Sequence, residues 1–154
     1  MSGWITIPLP RSRWRFHVLL PLLAAAMALL PRDLWLRYLL LVATVLIHES
    51  GHALTALALG SRRVEVSVWP VFARASVEHF PDRREAWIAA AGPAVNLLAA
   101  ALFLGLGGSW DLRLARAPLL DFMATVNLVM GIGNLLPVVP ADGGRMIRAL
   151  RRYA

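Results

Sequence analysis

The chain has 154 residues, of which 58% are hydrophobic, and its formal net charge is +7. A soluble domain is roughly half apolar, and the excess here lies in long runs, so we expect one integral membrane domain over residues 1–154. The chain has no cysteine, which excludes disulfides and cysteine-ligated metal sites. All basic residues are arginines between the apolar runs, so a membrane surface explains the charge and no nucleic-acid partner is expected.

Four apolar segments predict about four transmembrane helices. A segment of about 20 apolar residues is long enough to cross a bilayer as a helix. The first segment is the shortest, and the arginines before it leave open that it is a signal peptide. The segments are Trp14–Leu30, Leu34–Leu59, Ala86–Leu106 and Pro118–Leu136.

The distribution of arginine predicts how the chain is oriented. With both termini in the cytoplasm, twelve arginines lie on the cytoplasmic side and four lie outside. This asymmetry agrees with the positive-inside rule. We expect the lipid bilayer as a partner, with both termini in the cytoplasm. The expected location is the plasma (inner) membrane of a prokaryote.

Residues 63–79 predict a short β-hairpin between the second and third helices. Polar and apolar residues alternate from Arg63 to Val68, and Pro70 marks a turn or an edge. An open strand edge is not tolerated in lipid, so the hairpin is expected at the cytoplasmic interface. The predicted fold class is an all-α membrane protein with about four transmembrane helices and this interfacial hairpin.

His48, Glu49 and His52 form an HExxH pattern inside the second apolar segment. On a helix, this spacing places two imidazoles one turn apart on one face, where they can bind one Zn²⁺ beside a carboxylate that acts as a base. Ionisable groups at membrane depth are costly and usually functional. The pattern predicts a water-activating metal, and the alternative is a set of polar residues satisfied within a helix bundle.

Two histidines leave a catalytic zinc site one protein ligand short. Asp142 is the candidate because it follows Pro137 and Pro140, which break the fourth helix, and because it falls on the same side as HExxH. Taken alone, Asp142 could equally belong to a loop that ends the helix. His17 and His79 are expected on the surface.

Three motifs follow one another over about residues 45–148. The first is HExxH at residues 48–52, and the second is Gly92-Pro93 with Asn96 after it. The third is Asn134 with two following prolines and Asp142-Gly143. In this order the motifs resemble those of the site-2 protease family of intramembrane zinc metalloproteases. The resemblance implies that His48, His52 and Asp142 ligate one Zn²⁺ per chain and that Glu49 is the catalytic glutamate.

The same resemblance implies roles for four further residues. Asn134 matches an asparagine proposed to steady the reacting carbonyl, and an interhelical hydrogen bond is its alternative role. Asn96 matches an asparagine with a positional role. Gly92 and Pro93 are supporting residues that we expect to bend the third helix and open space beside the site. Their alternative role is a plain helix kink.

The predicted function is an endopeptidase that cuts a single-span membrane protein near its cytoplasmic side. Regulated intramembrane proteolysis is what the resemblance implies. Many family members carry a PDZ or CBS module, and we expect a minimal form with a catalytic core at about residues 34–150. A catalytically silent membrane-binding relative and a zinc transporter or sensor are the alternatives, and the substrate and the oligomeric state stay open.

A substrate helix must be extended before it is hydrolysed, because its peptide bonds are otherwise hidden in the helical hydrogen bonds. The edge of the predicted hairpin could pair with such a segment by strand addition. Proline at Val66 or Val68 would test this hypothesis.

Overall fold

Five helices and four short strands make up the part of the chain that the structure describes. The computed structural model describes residues 3–70, 72–77, 80, 83–114 and 117–152. The strands are β1 (Trp4–Leu9), β2 (Ser12–His17), β3 (Val64–Val68) and β4 (Ala73–Val77). The helices are α1 (Leu19–Met27), α2 (Arg32–Ala58), α3 (Arg84–Gly105), α4 (Leu119–Leu135) and α5 (Asp142–Arg152). The fold is mostly helical with a small sheet, which confirms the helical class in part and extends the predicted hairpin to a four-stranded sheet.

The strands form one sheet in the order β1-β2-β3-β4. β3 and β4 pair antiparallel, as predicted for the hairpin, although His79 lies outside the described residues. The hairpin is half of a larger sheet, because β2 pairs with β3 in parallel and β1 pairs antiparallel with β2. β3 is therefore an inner strand, and β4 provides the free edge on the side of α2.

The first apolar segment is not a single helix, which corrects the prediction for Trp14–Leu30. Its first four residues belong to β2, where arginine and aromatic residues alternate with strand period. α1 has 9 residues, which amounts to about 14 Å of helix and less than half of a bilayer core of about 30 Å. α1 therefore does not cross a membrane by itself.

Two helices, α2 with 27 residues and α3 with 22, are long and apolar enough to cross a membrane, judged by length and composition. α4 is a shorter apolar helix of 17 residues. These three helices match the second, third and fourth predicted segments within two residues at each end. The expectation of four transmembrane helices is thus not confirmed, since the described residues provide two candidates by length and composition.

α3 lies at the centre of the helical layer and packs against α2, α4 and α5. α2 and α3 approach closely at Gly51, where a Cβ atom would lie 2.8 Å from the carbonyl oxygen of Ala91. A cluster of buried apolar residues joins α2, β3 and α3, and it includes Ala53, Val66 and Ile88. This packing fixes the HExxH turn of α2 between α3 and the sheet.

A buried arginine fixes the other end of α2. The guanidinium of Arg37 donates hydrogen bonds to both oxygens of Asp33 and to the carbonyl oxygens of Leu114 and Ala117. All of these acceptors lie at the start of α2 or in the connection before α4. A charge within an apolar helix is thus fully satisfied, and it ties this connection to α2.

Candidate metal centre

Three nitrogen and oxygen donors converge at one point between α2 and α5. His48 and His52 come from neighbouring turns of α2, and Asp142 is the first residue of α5. Nε2 of His48, Nε2 of His52 and Oδ2 of Asp142 are each 3.1 Å from the other two. All three side chains are buried, with exposures of 3%, 3% and 7%. The structure therefore brings together the three residues that the sequence pairs as ligands.

The outer nitrogens of both imidazoles face hydrogen-bond acceptors. Nδ1 of His48 lies 2.5 Å from Oδ1 of Asn96, and Nδ1 of His52 lies 2.7 Å from the carbonyl oxygen of Ile88. Each Nδ1 is thus placed to donate to its acceptor, and in the neutral tautomer that does so each Nε2 presents its lone pair. Two nitrogen lone pairs and a carboxylate oxygen then point at one another without a proton between them, an arrangement that a cation stabilises.

The donor set fits a zinc ion. Zinc binds histidine and carboxylate at about 2.0–2.2 Å with tetrahedral geometry, and its ligand atoms are then about 3.3 Å apart. The observed separation of 3.1 Å is close to this edge length. Among the described residues, these three form the one group of histidine and acidic side chains close enough together to hold a metal. Three protein ligands would leave one position for water or substrate, as catalytic zinc sites do.

A buried chain of amides holds the His48 ring in place. Asn96 on α3 accepts from His48 with its oxygen and donates from Nδ2 to Oδ1 of Asn127 on α4 at 2.9 Å. Asn127 in turn donates to the carbonyl oxygen of Met123 at 2.9 Å and to Oγ1 of Thr44 at 3.4 Å. Outer partners of this kind fix the tautomer and orientation of a metal-binding histidine. The sequence argument singled out Asn96 and missed Asn127 and Thr44, whose one signal is a polar residue within an apolar helix.

An ion-pair bridge holds the carboxylate of Asp142. Arg145, one turn further along α5, donates to Oδ1 of Asp142 and to Oε1 of Glu85 on α3, both at 3.0 Å. Oδ2 of Asp142 remains directed at the two imidazoles. Arg145 and Glu85 thus orient the third donor, and no sequence motif had indicated either residue.

Asp142 begins a helix, whereas the sequence reading placed it in a loop with a turn signal. An acidic residue in the first turn is favourable because it faces the positive end of the helix dipole. The glycines after it serve close packing. A Cβ atom on Gly143 would collide with the carbonyl oxygens of Leu135 and Leu136, and one on Gly144 would collide with that of Val138.

Glu49 lies beside the converging donors and is held by the sheet. Its Oε2 accepts a hydrogen bond of 2.5 Å from the backbone N–H of Ala75 on β4. The side chain is buried, and it lines the same cavity as both histidines and Asp142. Among the described residues no hydrogen bond is formed by its second oxygen, Oε1, which can therefore serve a group in that cavity.

The cavity has a volume of about 700 Å³, enough for several residues of an extended peptide. β4 lines this cavity, and so do Asn134 and Pro140. Nδ2 of Asn134 donates to the carbonyl oxygen of Met130 in its own helix at 3.0 Å. The structure thus places Asn134 on the cavity wall without a hydrogen bond to any of the three converging side chains.

Gly92 lies directly beneath the two imidazoles, and α3 continues through Pro93 as one helix. A Cβ atom at Gly92 would collide with Nε2 of His52 and would lie 2.8 Å from Nε2 of His48. The glycine therefore provides the space in which the imidazole pair lies.

We expect the Gly92→Ala variant to lose most of its bound metal. The added methyl must displace both imidazoles, and forced packing of this kind costs about 1–3 kcal/mol of stability. Zinc content after purification and the thermal unfolding midpoint measure the two effects. Gly133→Ala is the matched control, because a Cβ there meets no atom within 4 Å. Equal zinc content in both variants would contradict the assigned role of Gly92.

Comparisons with known proteins identify relatives that are named zinc metalloproteases. No family model matches the chain. A zinc metalloprotease of Methanocaldococcus jannaschii is 32% identical over 113 residues, which cover 73% of this chain and 33% of that protein. A protein of Mycobacterium tuberculosis that is provisionally named a zinc metalloprotease is 37% identical over 120 residues, or 71% of this chain and 29% of the relative. The chain thus spans about a third of the length of the curated relatives it matches.

A solved structure shares the fold. The site-2 protease from Methanocaldococcus jannaschii superposes with a TM-score of 0.69 at 24% sequence identity. The match covers 96% of this chain and 71% of that chain. At this identity the superposition establishes the common fold.

Proposed function

Because the chain belongs to the site-2 protease family of zinc metalloproteases, we propose that it is a zinc endopeptidase that cuts a membrane protein in or near a transmembrane segment. The observation that carries the proposal is the buried convergence of His48, His52 and Asp142 beside Glu49 in one cavity. The HExxH turn lies on α2, which is long and apolar enough to cross a bilayer.

Four side chains in the cavity account for the proposed peptide hydrolysis. His48, His52 and Asp142 would hold one Zn²⁺, which supplies an acidified water and polarises a carbonyl when it is bound. Glu49 accepts the proton of the attacking water at Oε1, while Oε2 stays with the N–H of Ala75. The same carboxylate then delivers the proton to the leaving amine.

Asn134 is our candidate for the donor to the reacting carbonyl oxygen. Its amide lies on the cavity wall and can exchange the carbonyl of Met130 for an oxyanion by rotating its side chain. A neutral donor suits this site because it adds no further charge to a buried pocket.

The membrane supplies the setting for this reaction. Large apolar side chains on the outer faces of α3 and α4 are exposed, among them Leu98, Leu102, Val129 and Ile132. These faces suit lipid, whereas the polar side chains of Asn96, Thr125 and Asn127 on the same helices are buried. In our proposal both termini are cytoplasmic, the active site opens toward the cytoplasm of a prokaryotic cell, and a single-span protein is the substrate in regulated proteolysis.

The described residues favour an enzyme over the alternatives. A transporter would need several metal-binding groups along a path, and the described part of the chain contains one such group. A catalytically silent relative would be expected to lose Glu49 or a ligand, and all four residues are present and converge.

Chelation tests the proposed activity. We expect purified protein in vesicles to cut a single-span substrate near its cytoplasmic end and to lose this activity when 1,10-phenanthroline removes zinc. Added Zn²⁺ should restore cleavage, which gel analysis and mass spectrometry of the products would measure. Cleavage that survives complete removal of the metal would contradict the proposal.

In our proposal the substrate segment adds to the sheet at the edge of β4. The proline substitution that tests strand addition therefore belongs in β4 and not at Val66 or Val68. Val66 and Val68 are in β3, which is paired on both sides, so proline there would disrupt the sheet itself. The N–H of Ala75 points away from β3 to Glu49. By the alternation of an antiparallel pair, the N–H groups of Ala73 and Val77 point to the same side.

We expect Ala73→Pro to reduce cleavage about fivefold to tenfold, because the variant removes one main-chain hydrogen bond to an extended substrate. Thr6→Pro is the matched control. Thr6 has an outward N–H on β1, the opposite edge of the same sheet, where Pro8 already occupies the next outward position. Equal rates in the two variants would refute strand addition at β4.

A further inference from the structure

A second cavity opens beside the metal centre, and its wall is basic. It has a volume of about 300 Å³ and lies between β4, the start of α3 and α5. Four arginines line it, and Glu85 is its one acidic residue. The arginines are Arg74, Arg145, Arg148 and Arg152.

Three of these arginines have charges that the described structure leaves unneutralised. The charge of Arg145 is neutralised, since it forms ion pairs with Asp142 and Glu85. Arg74, Arg148 and Arg152 form no ion pair within the described ranges, and we call these three residues the arginine rim. Like charges four residues apart on a helix, as at Arg148 and Arg152, repel each other. An anion in the cavity would relieve this repulsion.

The arginine rim is continuous with the reaction site. Arg74 and Arg148 line both the basic cavity and the larger cavity that contains His48 and Glu49. Arg74 belongs to β4, whose outward amides face the larger cavity. A peptide that extends along β4 from the metal centre would thus run past the rim, which favours a polypeptide over a lipid headgroup as the occupant.

We propose that the arginine rim is a specificity subsite for aspartate and glutamate residues on the cytoplasmic flank of the substrate. This inference rests on the proposed function and names the substrate class of the same site. Cytoplasmic flanks of membrane proteins are usually rich in lysine and arginine. The rim repels such flanks and attracts acidic ones, so it selects substrates by exclusion as well as by binding.

Binding without turnover tests the subsite. The probe is a fluorescent single-span peptide in phosphatidylcholine nanodiscs with three flanking glutamates, glutamines or lysines, and the protein is the full chain carrying Glu49→Gln. We expect the glutamate peptide to bind about tenfold more tightly than the glutamine peptide at low salt, with the preference falling as salt is added. When Arg148→Glu and Arg152→Glu are added to the Glu49→Gln protein, we expect the lysine peptide to bind most tightly of the three.

The control is Arg151→Glu, a charge reversal on the same helix that lines neither cavity. This variant should bind the three peptides in the same order of affinity as the parent protein. Zinc content and thermal unfolding establish that all variants are folded. The same order of affinities in the double variant as in the parent would overturn the proposal. The proposal would also fail if affinity did not depend on the flank and the double variant changed affinity only in phosphatidylglycerol nanodiscs. The rim would then bind lipid.

The two proposals fail in different ways. Cleavage by the wild-type chain without any effect of the flank would remove the subsite and leave the protease assignment intact. Flank-ordered binding together with failure of the wild-type chain to cut any of the three peptides would support the subsite and contradict the protease assignment.

Discussion

The Glu49→Gln variant should bind zinc normally and lose peptide hydrolysis by about 10³-fold or more, since a glutamine amide accepts no proton from the attacking water. Glutamine has the same shape as glutamate and can keep its oxygen on the N–H of Ala75. Glu49 is also separate from the three donors that converge on the metal position. Initial rates with a reconstituted single-span substrate and zinc content by mass spectrometry measure the two properties separately.

Glu65→Gln provides the matched control for this variant. Glu65 pairs with Arg15 on the sheet and does not line the reaction cavity. We expect Glu65→Gln to change the cleavage rate by no more than about twofold, because the Glu65–Arg15 pair is partly exposed and lies outside the cavity. Full activity in Glu49→Gln would refute the assignment of the base, and loss of zinc would show that Glu49 belongs to the metal site.

The Asp142→Asn variant should lose zinc affinity by more than about 100-fold, because losing an outer partner of a ligand already costs 10- to 100-fold. The amide removes the negative charge that balances the cation and leaves two neutral imidazoles as donors. It also removes the charge to which Arg145 donates. Competition with a zinc chelator of known affinity measures the change.

Asp121→Asn is the control for the ligand assignment. Asp121 is in the first turn of α4, where its carboxylate accepts hydrogen bonds from the N–H and Oγ of Ser109. We expect this variant to bind zinc as the parent does. Zinc occupancy in Asp142→Asn equal to that of Asp121→Asn would remove Asp142 from the ligand set.

The helices that carry the site could be predicted because their signals are local. α2, α3 and α4 are long apolar runs, and their observed bounds differ little from the predicted segments. The spacing of His48 and His52 fixes their mutual position on any helix. The contact with Asp142, 90 residues beyond His52, followed from pairing the motif with a carboxylate and from the resemblance, because local sequence says nothing about such a distance.

The sheet and α5 could not be predicted completely from the sequence, and the reasons are physical. β2 is continuous in sequence with the apolar α1, so its short alternating pattern merges with a helical run. Its parallel pairing with β3 joins residues about 50 positions apart, which no local pattern encodes. For α5, Asp142 and Gly143 resemble a turn, and the helix is stabilised by its packing on α3.

The residues that hold the proposed ligands in place were missed because their role depends on contacts that form only in the folded chain. Arg145 looks like one arginine among many in a basic tail, yet it orients Asp142. Asn127 has no motif, yet it connects Asn96 to α4. Such residues are recognisable only when their partners in space are known.

X-ray absorption at the zinc edge of the purified chain tests the central claim most directly. We predict one zinc per chain, with two imidazole nitrogens at about 2.0–2.1 Å and oxygen donors completing a four-coordinate shell. A spectrum with fewer than two imidazoles, or a folded chain that takes up no zinc, would contradict the account.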